Sequence, residues 1–151
     1  MERFLTEISK NGILWSTVIA WIIAQSIKVI IGIIKEKRFN FKWFVGTGGM
    51  PSSHVAGVSA LATSVGLSFG FDSPIFAISA IFTIIIMFDA QGVRRASGKQ
   101  AEILNKMIED IYLKREIKED KLKEFIGHTP FQVFIGAALG IFISVVFNQY
   151  F

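Results

Sequence analysis

Apolar residues are gathered into long runs that carry almost no charge. Residues 13–34 contain one charged side chain, Lys28, and residues 43–88 contain one, Asp72. Residues 125–151 contain no Asp, Glu, Lys or Arg. The hydrocarbon core of a bilayer, roughly 30 Å thick, takes about 20 helical residues to cross. The pattern therefore predicts an all-α integral membrane protein.

Turn and helix-start residues divide the runs into about four transmembrane helices. We predict a single membrane domain over 1–151, a helical bundle with spans at 13–34, 53–71, 74–89 and 130–147. The stretch "GFDSP" predicts a tight turn between the second and third spans.

A polar segment, 91–127, separates the third span from the fourth and carries nine Lys/Arg and seven Asp/Glu. Its first half has apolar residues at helical spacing, namely Ala101, Leu104, Ile108 and Ile111. This spacing predicts an amphipathic helix or helical hairpin at the membrane surface. For the later half of the segment, a solvated linker is an equally good interpretation.

Basic residues predict the orientation. The link "KEKRFNFK" carries four bases and segment 91–127 carries nine, whereas the turn near Asp72 carries none. The positive-inside rule then predicts that both basic links are cytoplasmic and both termini outside, although Arg3 and Lys10 oppose this weakly. The N-terminus lacks the layout of a cleavable signal, so we expect the first apolar run to remain in the membrane. The predicted location is a cell membrane, as a multi-pass protein.

Composition narrows the chemistry. The chain has no cysteine, which excludes disulfides, thiolate nucleophiles and metal sites with thiolate ligands. The net charge of +4 is concentrated in the two basic links, and we expect no nucleic-acid partner. The expected partner is the lipid bilayer.

Polar residues from four distant segments are predicted to lie at one depth, on the cytoplasmic side. They are Lys28 near the end of the first span, Ser52, Ser53 and His54 at the start of the second, Asp89, Arg94 and Arg95 after the third, and His128 and Thr129 before the fourth. His54 and His128 are the two histidines of the chain. The coincidence predicts one shared polar site.

The chemistry of this predicted site suits a phosphate group. Two helix N-termini would direct backbone N–H groups at an anion. Lys28 would add positive charge, and Arg94 and Arg95 could bind phosphate oxygens in bidentate fashion. His54 and His128 could divide nucleophilic and proton-transfer roles at neutral pH.

Plainer interpretations exist for each residue. Lys28 is either a phosphate ligand or a cation that snorkels to the surface. Ser52 and His54 are either site residues or helix caps. For Thr129, which precedes a proline, the helix cap is the favoured interpretation.

Further alternatives concern the third span and the fourth. Arg94 and Arg95 are either phosphate ligands or positive-inside anchors. Asp89 either pairs with one of these arginines or binds a divalent ion, and a lone carboxylate is weak support for a metal. The stretch "GAALG" at 136–140 is more typical of a helix-packing face than of a ligand site.

The stretches "GGMPSSH", "DAQGVRR", "GKQAEILN" and "GHTPFQVFIGAALGI" together resemble a known family. It is the divergent, acid phosphatase/vanadium-dependent haloperoxidase-related branch of the type-2 phosphatidic acid phosphatase superfamily. The resemblance covers about residues 11–147. It implies a phosphatase that works without a metal, through a phosphohistidine, and therefore without a cofactor; Mg²⁺ bound through Asp89 is the one exception left open.

The resemblance also implies residue roles. Lys28 and Ser52 would contact the phosphate, and Ser53 stands where the family has a glycine. His54 would be the general acid and His128 the nucleophile. The family's motif arginine would be Arg94 or Arg95.

The chain departs from the family pattern in three places. No Arg-Pro pair follows Lys28, and Arg94 lies 34 residues before His128, where the family motif has only a few. The acidic partner expected four residues after the nucleophile is Gln132. Either Gln132, as a hydrogen-bond acceptor, or Asp89 would orient the nucleophile.

We therefore expect a lipid phosphatase of phospholipid biosynthesis that acts on a phosphate monoester at the cytoplasmic leaflet. Within the related branch, phosphatidylglycerophosphate is the favoured substrate, with isoprenyl and other lipid phosphates also open. The alternatives are a non-catalytic membrane protein that binds or transports an anion or lipid phosphate, and a structural subunit assembled through its glycine face. Four short spans barely enclose a pocket, so we also expect a homodimer.

Overall fold

We describe the protein from a computed structural model. The structure describes residues 1–37, 49–112 and 128–150, with the backbone alone at 93–95 and 110–112. The described residues form six α-helices: α1 (Glu2–Ser9), α2 (Gly12–Glu36), α3 (Ser53–Phe69), α4 (Pro74–Gln91), α5 (Val93–Tyr112) and α6 (Pro130–Tyr150). They contain no strand, and the all-α prediction is confirmed.

Side-chain caps begin the helices where the sequence changes from polar to apolar. Asn11 accepts a hydrogen bond from the backbone N–H of Leu14 at the start of α2, at 3.0 Å. Ser73 accepts one from Phe76 N–H at the start of α4, at 3.2 Å, and Pro74 occupies the first turn. Each cap satisfies a backbone donor that the helix itself leaves over.

Three helical stretches are long and apolar enough to cross a membrane: Gly12–Glu36, the stretch that begins at Pro74, and Pro130–Tyr150. The predicted span 53–71 corresponds to α3, which is shorter, with 17 residues and an axial length of roughly 26 Å. It packs against α2, α4 and α6, which makes it the central helix of the bundle. The molecule is therefore an all-α membrane bundle with α3 enclosed by its neighbours.

Glycines of α6 allow this helix to approach α3 closely. A Cβ atom added at Gly136 would lie 2.6 Å from the carbonyl oxygen of Ser52. One added at Gly140 would overlap the carbonyl oxygen of Ala56. The stretch "GAALG" is thus a helix-packing face, and its partner is α3 of the same chain. Small residues at such contacts are the usual basis of helix association in lipid.

Large apolar side chains point away from the bundle, the reverse of the arrangement in a water-soluble protein. Ile78, Phe88 and Phe134 are among the many exposed large side chains of α4 and α6. The interior instead holds two clusters of smaller residues, Ala20 with Ala60 and Ile143, and Val55 with Ala90 and Val133. Lipid tails can cover the outer faces because they are as apolar as these side chains.

Helices α4 and α5 follow each other with Gly92 alone between them. The carbonyl oxygen of Ala90 accepts a hydrogen bond from the backbone N–H of His128, at 3.0 Å. This bond fastens the residue before α6 to the last turn of α4.

Helix α5 is amphipathic, as predicted, and its buried residues are small or polar. Leu104 is 49% exposed, whereas Asn105 is 6% exposed and Gly98 is also buried. Ala101 and Ile108 are half-buried. Leu104 therefore lies on the exposed side of α5, so apolar spacing alone does not show which residues of this helix pack on protein. The side chain of Ile111 and residues 113–127 lie outside the described part of the chain.

Candidate functional site

Four chain segments meet at one end of the bundle, which we call the His128 end. Helix α3 begins there with Ser53, α4 ends there beyond Asp89, and His128 precedes α6. The C-terminal half of α2 reaches the same place through Lys28, which bonds to Ser53. The N-termini of α3 and α6 therefore lie at one end, where their dipoles favour negative charge.

Lys28 is buried, with 6% of its surface exposed. Its Nζ atom donates to Oε1 of Gln25 at 3.0 Å and to Oγ of Ser53 at 3.4 Å. The backbone of Gly49, whose φ is +93°, lies against the methylene groups of Lys28. The side chain thus turns towards the start of α3 and is covered, which contradicts the snorkelling interpretation.

Gln25 belongs to this site, and the sequence reasoning missed it. It is buried and lies one helical turn before Lys28 on the same face of α2. The available signal was the spacing itself, since residues three apart on a helix are neighbours. A glutamine three positions before a lone intramembrane lysine could have been predicted to accept its hydrogen bond.

Ser52 and Ser53 are both buried at the start of α3. Ser52 is the N-cap, since its Oγ accepts from the N–H of Val55 at 3.5 Å, so the cap interpretation holds for this serine. Its own N–H donates to the backbone oxygen of Gln132 at 3.3 Å, which ties α3 to α6. Ser53 is the residue that meets Lys28. Of "GTGG", residues 46–48 lie outside the described part.

His128 is 1% exposed, and both its backbone N–H and its ring contact neighbouring residues. Its backbone N–H donates to Ala90, and its Nδ1 atom lies 3.3 Å from Oε1 of Gln132. The other ring nitrogen, Nε2, is buried as well. The imidazole therefore has a fixed orientation, set by α4 on one side and α6 on the other.

Thr129 and Gln132 form a capping box at the start of α6. Thr129 Oγ1 accepts from the N–H of Gln132 at 3.4 Å, while Oε1 of Gln132 accepts from the N–H of Thr129 at 3.0 Å. Such reciprocal bonds satisfy two N-terminal donors at once. The prediction that Thr129 is a helix cap is confirmed.

His54 lies in the first turn of α3, and its Nδ1 atom is buried although the residue as a whole is half-buried. It follows Ser52 by two residues, and Ser52 is bonded to Gln132, the residue that contacts His128. Gln132 thus connects the helix that carries His54 with the ring of His128.

The remaining predicted residues lie near the α4–α5 junction. Asp89 is half-buried and precedes Ala90, the residue that holds the His128 backbone. Arg94 and Arg95 lie in the first turn of α5, and their side chains lie outside the described part of the chain. Among the described residues, no group of three or more His, Asp or Glu side chains could hold a metal ion.

An open cleft of about 320 Å³ lies at the opposite end of the bundle, at the start of α2. Its lining includes Lys10, Ser64, Ser68 and Asn148. Among the described residues that line it, Lys10 is the one charged residue and neither histidine is present. The two ends are separated along α3. The apolar layers around Val55 and Ala60 lie between Ser53, at the His128 end, and Ser64, at the cleft. We therefore assign the candidate chemistry to the His128 end and not to this cleft.

Comparison with known proteins places the sequence in a family. A family described as the divergent PAP2 family matches residues 9–143. The chain is 43% identical over 156 residues to a Bacillus subtilis (strain 168) protein named "Uncharacterized membrane protein YuiD", and the match covers 96% of this chain and 99% of that protein. No solved structure matches the chain.

Proposed function

Because the chain belongs to the divergent PAP2 family, we propose that it is a membrane lipid phosphatase that hydrolyses a lipid phosphate monoester through a phosphohistidine. One observation carries the proposal, the meeting of Lys28, Ser53 and His128 at one end of the bundle. A charged residue within a membrane span costs roughly 2.5–3.5 kcal/mol on insertion scales, so a functional role is the default explanation of Lys28.

The His128 end offers what binding of a phosphoryl group requires. Lys28 supplies a positive charge, and the first turns of α3 and α6 supply the positive ends of two helix dipoles. In the proposal, Ser52 and Ser53 also contact the phosphate, and Arg94 and Arg95 neutralise its remaining oxygens. Asp89 holds one of these arginines in place.

In the proposed reaction, Nε2 of His128 attacks the phosphorus atom and the bond from phosphorus to the lipid oxygen breaks. His54 donates a proton to that oxygen, so the lipid leaves as a neutral alcohol. Water then attacks the phosphohistidine while His54 accepts its proton. The phosphorus–nitrogen bond breaks, inorganic phosphate leaves, and both histidines return to their starting states.

The proposed substrate is a lipid monophosphate of the cytoplasmic leaflet. The orientation rests on the basic links of the sequence, which the positive-inside rule assigns to the cytoplasm. Phosphatidylglycerophosphate is the first candidate, followed by isoprenyl phosphates. We also propose a homodimer, since three long spans and one short helix barely enclose a pocket.

A phosphate-release screen tests the proposal. Detergent-solubilised protein is incubated with a panel of lipid monophosphates, with and without a chelator. We expect release on at least one lipid, unchanged by the chelator and lost in both His54→Ala and His128→Ala. Thr6→Ala, at an exposed position of α1, is the matched control and should release phosphate like the parent.

Two outcomes would refute the enzyme. One is release by the two histidine variants at the rate of the parent protein, because the activity would then belong to a contaminant. The other is binding of lipid phosphate to the parent without release on any lipid. That second outcome favours the alternative function, a non-catalytic anion or lipid-phosphate binding protein.

Transport through this bundle is a weaker alternative. Two layers of apolar side chains, one of Val55 with Ala90 and Val133 and one of Ala20 with Ala60 and Ile143, fill the interior between the His128 end and the opposite cleft. An anion would lose its hydration in such layers, which is costly. The packing therefore supports chemistry at one membrane face over passage between the two faces.

A further inference from the structure

We propose that Gln132 is a positioning residue that holds His128 as the tautomer with its proton on Nδ1, so that Nε2 carries the lone pair. Its consequence for turnover rests on the proposed phosphatase function, but the tautomer itself is a property of the protein without substrate. In this proposal Gln132, and not Asp89, orients the ring.

The first step is the orientation of the Gln132 amide. The backbone N–H of Thr129 can only donate, and it lies 3.0 Å from the side-chain oxygen Oε1. An amide turned by 180° would bring its NH₂ group against that N–H, two donors face to face. The capping box therefore fixes which end of the amide faces the start of α6.

The fixed Gln132 amide in turn determines which nitrogen of the His128 imidazole carries the proton. The same Oε1 atom lies 3.3 Å from Nδ1 of His128. An amide oxygen accepts and cannot donate, so the ring nitrogen must be the donor, and Nδ1 carries the proton. A neutral imidazole with a proton on Nδ1 has its lone pair on Nε2, the nitrogen assigned to attack phosphorus.

Hydrogen bonds to neighbouring residues hold both His128 and Gln132 in place. The backbone of His128 is bonded to Ala90, and its ring is buried. Gln132 is in turn held through its own backbone, since its N–H donates to Thr129 and its carbonyl oxygen accepts from Ser52. The Gln132 side chain cannot rotate away without breaking its capping bond from Thr129, and the buried His128 ring cannot turn without breaking its contact with Gln132.

A helix cap alone would account for Gln132 without any role for the histidine. Nitrogen NMR separates the two explanations, because a cap leaves no mark on an imidazole tautomer. The protein is labelled with ¹⁵N-histidine, and its two histidines give two sets of ring signals, assigned with the His54→Gln variant. We expect a protonated Nδ1 and an unprotonated Nε2 for His128 in the neutral form.

Variants at Gln132 give the direct test. Gln132→Leu removes the acceptor, and we expect a mixture of His128 tautomers and a fall in phosphate release of about tenfold or more. Gln132→Glu keeps an acceptor at the same reach, so the Nδ1–H tautomer and the release should both be retained. Thr129→Ala is the matched control for the cap, since it removes one capping bond but keeps the backbone donor that orients Gln132.

The outcomes are distinct from those of the phosphatase test. A parent His128 with its proton on Nε2, or a tautomer that Gln132→Leu leaves unchanged, would overturn the inference. A change of tautomer in Asp89→Asn with none in Gln132→Leu would overturn it too, in favour of Asp89. The expected tautomer in a protein that releases no phosphate would contradict only the proposed function.

Discussion

Two clusters of buried polar side chains lie near opposite ends of the bundle, and they differ in the kind of group that is buried. Ser16, Ser64 and Ser144, from α2, α3 and α6, bond to one another, with Ser64 in the centre and 2.7 Å from Ser144. At the His128 end, Lys28 bonds to Ser53, and the ring of His128 contacts Gln132.

The serine cluster is neutral and joins three helices, which is the usual role of hydroxyl groups inside a membrane bundle. The His128 end holds ionisable groups, whose burial is costly, so a functional role is the default explanation for them. Burial and hydrogen bonding alone therefore do not identify a site. The kind of group that is buried does, and the following predictions test this distinction.

Of the three predictions that test this comparison, the one on Lys28 has the largest expected effect. Lys28→Met keeps the apolar stem and removes the charge, so phosphate release should fall by on the order of 10²–10³, as for other electrostatic stabilisers of a transition state. Lys10→Met, at the opposite cleft, removes a charge of the same type and should leave release unchanged. Equal release by the two variants would show that the two ends do not differ in function.

A smaller effect is expected where α6 touches α3. Gly140→Ala would press a methyl group against the backbone of Ala56 and should lower the free energy of unfolding by about 1–3 kcal/mol. Gly57→Ala is the matched control, because its added Cβ would lie 3.8 Å from Trp21 and 3.9 Å from Thr17, at ordinary contact distances. Unfolding in detergent, followed by circular dichroism, compares the two variants. Equal stability would argue against this close packing.

The smallest effect is expected in the serine cluster. Ser64→Ala removes the central hydroxyl and should lower stability by about 0.6–1.7 kcal/mol, from the average to the maximum for an interhelical hydrogen bond in a membrane protein. Phosphate release should stay at the parent level. Thr63→Ala is the control for stability, because the Thr63 hydroxyl donates to the backbone oxygen of Ser59 in the same helix. Loss of release in Ser64→Ala with unchanged unfolding would place the serine cluster in the function and contradict the comparison.

Much of the fold could be predicted because membrane helices are long and their ends are marked. The predicted span 13–34 became Gly12–Glu36, and 130–147 became Pro130–Tyr150. Ser73 before Pro74 and Thr129 before Pro130 begin helices as their types predict. Such signals are local, and a local signal needs no knowledge of the neighbouring helices.

The candidate site was predictable as a set of residues but not as a set of contacts. Lys28, Ser53 and His128 were expected at one depth, and they do lie at one end of the bundle. Gln25 was missed, because its role depends on the turn of Lys28 towards α3. In α5 the polar Asn105 is buried and the apolar Leu104 is exposed, because hydropathy alone does not show which face of a helix meets protein.

By itself, the sequence determined the class of the protein, the positions of its helices and its family, because apolar run lengths, capping residues and motifs are written along the chain. Only the tertiary structure decided that α3 is the central helix, that the "GAALG" face packs within the chain, and that one amide oxygen serves both a helix cap and His128. These features depend on distances between residues far apart in sequence, and such distances are settled by how the helices pack together.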